Sequence, residues 1–252
     1  MKNKTHYSTI IVGATAFGLG FATRNVNDTL VIEKTSLIGS EFIDSLHMQS
    51  GDWVPKSKFG KELINECINR NILIKNGRIN TPALASLLFQ YVQQNSIQVL
   101  FLTEIINIEK KEQGYLLTIY NNSGFQTITA DLVIDTTSNA QISPDMEVYI
   151  VSKSINAILH SEGHFENETI LRYPLDINDD WIPARHKLHM YWQISPQKMK
   201  GLTLSFISFT FDYQITEPGP YFVKPDMYWI PSNSYCNLLE AFETGLEGGG
   251  LK

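Results

Sequence analysis

This chain has few cysteines and fewer positively than negatively charged residues. The two cysteines, Cys67 and Cys236, lie far apart and form no CxxC motif, which argues against a dithiol–disulfide reductase and against a zinc ribbon. The 252 residues carry 20 lysines and arginines against 26 aspartates and glutamates, and the net charge is −6. We therefore expect neither a nucleic-acid partner nor a membrane partner, whereas the oligomeric state stays open.

No hydrophobic run near the N-terminus is long enough to cross a bilayer. The apolar stretch from Ile10 to Ala22 follows Lys2 and Lys4, and it is shorter than the roughly 20 residues that a transmembrane helix needs. It contains three glycines and lacks a convincing signal-peptide cleavage site, so we expect a cytoplasmic protein. Hydrophobic residues make up 43% of the chain and charged residues 18%, which is typical of a globular protein with a substantial core.

The most informative segment runs from residue 9 to Glu33. An apolar strand is predicted at residues 9–12, a turn follows from Gly13 to Gly18, and a short helix begins there. A second apolar strand is predicted at 29–32, and Glu33 follows at its carboxyl end. This is the layout of a dinucleotide-binding βαβ unit in which Thr15 replaces one of the three usual glycines.

Each position of this segment has a physical function. Gly13 permits the tight turn out of the strand, and Gly18 lets the helix pack closely against the sheet. The start of the helix directs backbone N–H groups at a pyrophosphate, and Glu33 can accept hydrogen bonds from a ribose. The side chain of Thr15 either crowds the phosphate or donates a hydrogen bond to it.

Further helices and strands follow along the chain. Helices are predicted over residues 57–71, 83–94 and 237–248, and Thr81 is the predicted N-cap of the second. Strands are predicted over residues 97–102, 105–110, 115–120, 126–130 and 131–135. The middle three form a small antiparallel meander, and the last returns as an apolar strand. Residues 202–206 and 209–213 alternate in opposite phases, which predicts two strand segments with a bulge or bend between them.

The order of these pieces resembles that of the FAD-dependent oxidoreductases with the glutathione-reductase-like flavin fold. The resemblance covers roughly the first 140 residues and, more weakly, the C-terminal segment. It implies an α/β fold, namely a Rossmann-like three-layer FAD/NAD(P)-binding domain with an antiparallel β meander and a β-rich cap. The implied division is 1–144 for the FAD-binding core, 145–227 for the cap and 228–252 for a segment and helix that return to the core.

The resemblance also implies FAD as the cofactor and a small molecule as the substrate. The implied FAD-binding residues lie near the ends of the apolar strands, with Ile105 beside the adenine: Gly13, Ala14, Thr15, Ala16, Phe17, Gly18, Glu33, Lys34, Ser40, Glu41, Ile105, Thr136, Thr137 and Ser138. Besides Thr15, two positions depart from the family pattern. Ser138 stands where a glycine ends the turn, and segment 228–234 lacks the Gly-Asp motif. Bound FAD would perform the chemistry at its ring.

The sequence does not identify a catalytic residue. Glu41 and His47, in the loop after the second strand, and Arg185, in the cap, are candidates on the substrate side. Arginine suits a substrate carboxylate because its planar fork binds two oxygens. A structural role is nevertheless the stronger interpretation of His47 and of Arg185. The histidine pairs at 160/164 and 186/189 lack the glutamate of an HExxH motif, so we predict no metal site.

Two other functions stay open at this point. Tyr149 and Lys153 have the YxxxK spacing of short-chain dehydrogenases, and on a helix they would share one face. The glycine turn, however, has steps of five and two residues where those enzymes have four and two. The substitutions at Thr15 and Ser138 favour another alternative, a flavin-fold protein that binds its cofactor poorly or is not catalytic.

Overall fold

The computed structural model describes residues 5–47, 53–73, 79–161 and 164–251. The predicted βαβ unit is present as strand β1 (His6–Val12), helix α1 (Ala16–Ala22) and strand β2 (Thr29–Ile32). The two strands pair in parallel, and the whole of β2 and the last four residues of β1 are buried. Burial on both faces explains why both strands read as continuous apolar runs.

The main sheet contains this unit and six further strands. These are β3 (Val99–Leu100), β4 (Glu104–Lys110), β5 (Tyr115–Asn121), β6 (Gly124–Asp135), β11 (Tyr221–Lys224) and β12 (Met227–Trp229). Their order is β11–β12–β6–β1–β2–β3, and β5 pairs with β6 and with β4. The first part of β6 pairs antiparallel with β5, and its later part pairs in parallel with β1 and β12. The segments predicted as separate strands at 126–130 and 131–135 are therefore one strand that serves both the meander and the parallel sheet.

A second, four-stranded antiparallel sheet follows in the chain. Its strands are β7 (Ile150–Ser161), β8 (His164–Leu175), β9 (Leu202–Ile207) and β10 (Asp212–Ile215). The first of these, β7, pairs with the other three. Residues 208–211 do not belong to a strand, so the predicted segment 209–213 is a strand only from Asp212 onward. Strand β11 lies inside the range predicted for the cap but pairs with β12 of the main sheet.

Helices between these strands complete the fold. They are α2 (Lys58–Asn69), α3 (Leu84–Gln94), α4 (Trp181–Gln193), α5 (Pro196–Met199) and α6 (Leu238–Glu247). The three predicted helices are confirmed as α2, α3 and α6, but Thr81 begins a 3₁₀ turn and does not cap α3. Helix α4 was not predicted, so the cap is less purely β than expected. Among the described residues, no helix combines the length and the apolar character needed to cross a membrane.

The short-chain-dehydrogenase interpretation is wrong. It requires a helix that places Tyr149 and Lys153 on one face, whereas an extended strand begins at Ile150. The ammonium of Lys153 donates to the backbone carbonyls of Ile177 and Asp179 at 3.1 and 2.6 Å. This lysine is thus a buried structural residue of the second sheet.

Helix α1 packs against α6 through two glycines. A Cβ added at Gly20 would overlap the carbonyl group of Phe242, and one added at Gly245 would overlap the carbonyl group of Phe17. The opposite side of α1 is similarly close to β1 and the turn after it, because a Cβ at Gly18 would lie 3.0 Å from Cγ2 of Ile11 and 2.9 Å from the carbonyl oxygen of Gly13. These contacts fix α1 between β1 and the C-terminal helix.

Replacement of Gly20 by Ala should destabilise the protein, since the helices would have to separate. We expect the free energy of unfolding to fall by about 1–3 kcal/mol, the usual cost of overpacking a buried contact, in a chemical denaturation experiment. The exposed Gln93 of α3, changed to Ala, is the control and should leave the stability near the wild-type value. Equal stability of Gly20→Ala and the wild type would contradict the close approach of α1 and α6.

Candidate functional site

A cavity of about 330 Å³ lies where the segments after β1, β2 and β6 meet residues of the second sheet and its connections. Ligands of open α/β sheets bind at the carboxyl ends of the strands. Eight residues predicted from the sequence line this cavity: Gly13, Thr15, Glu33, Lys34, Ser40, Glu41, Thr137 and Ser138. The other predicted residues of the turn and Thr136 are buried beside them: Ala14, Ala16, Phe17, Gly18 and Thr136.

The glycine turn is held by the chain's own hydrogen bonds. Gly13 has a φ of +95°, which glycine adopts without strain. Thr15 is the N-cap of α1, and its hydroxyl oxygen accepts from the Gly18 N–H at 3.0 Å. The same hydroxyl donates to the Oγ1 of Thr136 at 2.7 Å. The Thr15 side chain is therefore used inside the protein, as an ordinary helix cap.

The carboxyl group of Glu41 lies at the start of α1. Its Oε1 accepts from the Ala16 N–H at 2.7 Å and from the hydroxyl of Ser232 at 2.7 Å. The hydroxyl oxygen of Ser232 in turn accepts from the Phe17 N–H at 3.1 Å. The two backbone amides that open the helix are thus both bonded to side chains of the protein itself.

Burial makes Glu41 an unusual acid. It is 6% exposed, and its Oε2 has no hydrogen-bond partner among the described residues. Burial raises the pKa of Glu41 to about 7, although the hydrogen bonds from Ser232 and Ala16 oppose this shift. The nearby negative charge of Glu33 raises the pKa further. Near neutral pH the side chain therefore occurs in both the neutral and the ionised form.

Glu33 lies at the end of β2, as the spacing predicted. Its Oε2 accepts from the Ala14 N–H at 2.8 Å, and its Oε1 accepts from the backbone N–H and the hydroxyl of Thr35 at 2.8 and 2.7 Å. A carboxylate offers about four lone-pair sites. Three are used here, so one remains for a hydroxyl group of a ligand.

Aromatic side chains form the wall of the cavity on the side of the second sheet. They are Trp181, Phe209, Phe211 and Tyr213. Trp181 and Phe211 meet edge to face with ring centroids 5.0 Å apart. The ammonium of the buried Lys153 lies 4.0 Å from the centroid of the Phe211 ring, which fixes that ring by a cation–π contact. The wall offers flat apolar surface to a ligand.

Several predicted residues lie away from this cavity. Ile105 lies in β4 and lines a different cleft, together with Ile142 and Met227. Arg185 is exposed on α4, with its guanidinium 5.9 Å from the Trp181 ring. The ammonium of Lys34, a cavity residue, pairs with the carboxylate of Glu104 at 2.7 Å, where both side chains are about half exposed.

His47 joins the loop after β2 to the second sheet. Its Nδ1 lies 2.7 Å from the Oδ1 of Asp212, a residue of β10 that is 1% exposed in its side chain. The Oδ2 of Asp212 accepts from the side-chain amide of Asn156 at 3.1 Å, and that amide also donates to the backbone carbonyls of Ser45 and Leu46. His47 thus contacts the cap, and the structure places it in an interface instead of on the cavity wall.

Sequence reasoning missed Ser232 and the Asp212 network. The segment around Ser232 was singled out as the place of an absent Gly-Asp motif, but its hydrogen bond to Phe17 spans 215 residues of sequence. A serine in such a segment carries no local signal of that contact. Among the described residues, no group of three or more His, Cys, Asp or Glu side chains could hold a metal ion.

Comparisons with known proteins identify the fold. Neither a protein-family model nor a curated protein sequence matches the chain. Similar solved structures include a glycine oxidase from Geobacillus kaustophilus, with a TM-score of 0.60, 12% identity and coverage of 96% of this chain and 93% of that one. A geranylgeranyl bacteriochlorophyll reductase-like protein from Thermoplasma acidophilum aligns with a TM-score of 0.64, 11% identity and coverage of 97% and 77%.

A third similar structure is the flavin-dependent monooxygenase PieE in complex with FAD and substrate. Its TM-score is 0.57 at 11% identity, and the alignment covers 96% of this chain and 58% of that one. At these identities the likeness concerns the fold. Over nearly its whole length, the chain has the glutathione-reductase-like FAD/NAD(P)-binding fold of FAD-dependent oxidases and monooxygenases, as the resemblance of its sequence implied.

Proposed function

We propose that this protein is an FAD-dependent oxidoreductase that acts on a small molecule. The observation that carries the proposal is the extent of the structural likeness. It covers 96% of this chain and 93% of the glycine oxidase, and so takes in the second sheet as well as the nucleotide unit. The glycine turn and Glu33, on the wall of one cavity, support the same conclusion.

Two sets of cavity residues suit the two halves of FAD. Glu33 has one acceptor site left for a ribose hydroxyl, and the aromatic wall would cover the flat ring on the side of the second sheet. The start of α1 would suit the pyrophosphate once the carboxyl group of Glu41 gives up the Ala16 N–H. Thr137 and Ser138, after β6, would complete the wall on that side.

When bound, FAD supplies an acceptor for a hydride or for electrons, so the protein has to orient the ring and exclude water. Trp181, Phe211 and Tyr213 would do both. Burial raises the pKa of Tyr213 to about 12, so its phenol remains a neutral hydrogen-bonding group at physiological pH. His47 and Arg185 do not line the cavity, and we assign them no catalytic role.

A cytoplasmic location without nucleic-acid or membrane partners is part of the proposal. It is supported by the net charge of −6 and by the two cysteines, which are both free. Free cysteines are usual in the reducing cytoplasm.

An absorption spectrum of the purified protein tests the cofactor directly. We expect the two flavin bands, at close to one flavin per chain, and their release into solution after denaturation. A colourless protein that takes up no added FAD would contradict the proposal. It would favour a non-catalytic flavin-fold protein, the alternative that the internally bonded amides of Ala16 and Phe17 support.

Replacement of Glu33 by Ala should weaken FAD binding about tenfold or more, because the ribose would lose a charged hydrogen-bond acceptor. Fluorescence titration of the cofactor-free protein with FAD measures the change. The control is Glu109→Ala, which removes an exposed acid that pairs with Lys111 outside the cavity lining and should bind FAD as the wild type does. Unchanged FAD affinity of the folded Glu33→Ala protein would remove Glu33 from the ribose site.

A further inference from the structure

We propose that Glu41 is an internal competitor of the cofactor, because its carboxyl group occupies the backbone amide that a phosphate of FAD would bind. The inference rests on the proposed function, since it concerns the middle of the same cavity. It adds a residue that controls how tightly the dinucleotide is held.

The contacts show a carboxyl group in the position of a ligand. Oε1 of Glu41 accepts two hydrogen bonds, from the Ala16 N–H and from the Ser232 hydroxyl, both at 2.7 Å. Ser232 occupies the next amide, that of Phe17. A phosphate oxygen can accept hydrogen bonds from the Ala16 N–H and the Ser232 hydroxyl only if Glu41 leaves them. Glu41 therefore competes by occupying the donors and, when ionised, also by repelling the phosphate charge.

The unpartnered oxygen of Glu41 shows that the internal arrangement is incomplete. Oε2 is buried and has no partner among the described residues, although buried polar atoms are normally paired. Displacement of Glu41 by a ligand would release this oxygen to a position where water or another donor could reach it. The carboxyl group of Glu41 is therefore easier to displace than its two short hydrogen bonds alone indicate.

The electrostatic surroundings set the sign of a pH effect. Glu33 is the charged neighbour that acts on Glu41, and it raises the pKa of that side chain. Helix α1 and the turn from Ser232 to Ser234 carry no titratable side chain, and Lys34 on the cavity wall is paired with Glu104. Protonation of Glu41 removes its charge, so FAD should bind more tightly at pH 6 than at pH 8.

Titration of the cofactor-free full chain with FAD at pH 6 and pH 8 tests this competition. We compare the wild type with Glu41→Ala, which removes occupancy and charge, and with Glu41→Gln, which removes the charge and keeps an acceptor for Ala16. At pH 8 we expect Glu41→Ala to bind FAD about tenfold or more tightly than the wild type, with Glu41→Gln between them. Both variants should lose the pH dependence that the wild type shows.

Asp44→Asn is the matched control. Asp44 belongs to the same loop, and burial raises its pKa to about 6, but it does not line the cavity. This variant should keep the affinity and the pH dependence of the wild type. If Glu41→Ala and Glu41→Gln bind FAD no more tightly than the wild type at pH 8, the competition is overturned and the cofactor stands. If none of the four proteins binds FAD at either pH, the cofactor itself is overturned.

A measurement without ligand tests the burial of Glu41. The folded protein keeps the proton of Glu41 up to a pKa of about 7, whereas the ordinary value is 4.5. Between these pH values Glu41 binds more protons in the folded than in the unfolded state, so its contribution to stability falls as the pH rises through this window. In denaturant titrations, Glu41→Gln should flatten this decline, and between pH 6 and pH 7 Asp44→Asn should flatten it less, because the pKa of Asp44 is about 6. If stability falls with pH equally steeply in Glu41→Gln and in the wild type, the buried position of Glu41 is overturned.

Discussion

The backbone amides at the start of α1 need acceptors, and this requirement organises the middle of the molecule. The first N–H groups of a helix have no partner within it, and here Ala16 and Phe17 are buried. Thr15, Glu41 and Ser232 supply acceptors to the first turn from three different segments of the chain. The turn after β1, the loop after β2 and the segment after β12 are therefore held in one hydrogen-bonded cluster.

This cluster does not depend on the protonation state of Glu41. Its Oε1 acts as an acceptor in the neutral and in the ionised form, so the bonds to Ala16 and Ser232 persist as the pH changes. Burial and hydrogen bonding act on its charge in opposite directions, and burial dominates. The start of α1 is consequently satisfied by the protein alone, and the fold needs no phosphate to complete it.

The sequence predicted those parts of the fold in which the pattern is local. Continuous apolar runs identified β1 and β2, and the spacing of Leu238, Leu239 and Phe242 on one face identified α6. Helix α4 escaped prediction because only Ala184, Leu188 and Trp192 are buried in it, and its remaining aromatic residues obscure that spacing. The YxxxK spacing carries little information by itself, because it occurs at the start of a strand as well as in a helix.

The residues of the candidate site were likewise predictable only where the pattern is local. Spacing along the chain found Glu33 and the glycine turn, since both belong to one βαβ unit. It could not find the bond between Phe17 and Ser232 or that between His47 and Asp212, which join residues 215 and 165 positions apart. Contacts of this kind depend on the topology of both sheets, which a single sequence does not display.

The position of α1 and the occupation of its first amides depend on different residues. The position of α1 follows from close packing, which Gly18 permits against the sheet and Gly20 permits against α6. What binds at the start of α1 follows from which atoms reach its amides, and Glu41 decides that for Ala16. Packing is unaffected when the acceptor changes from a ligand to a side chain. A chain can therefore keep the architecture at about 12% identity while the side chains that reach these amides change.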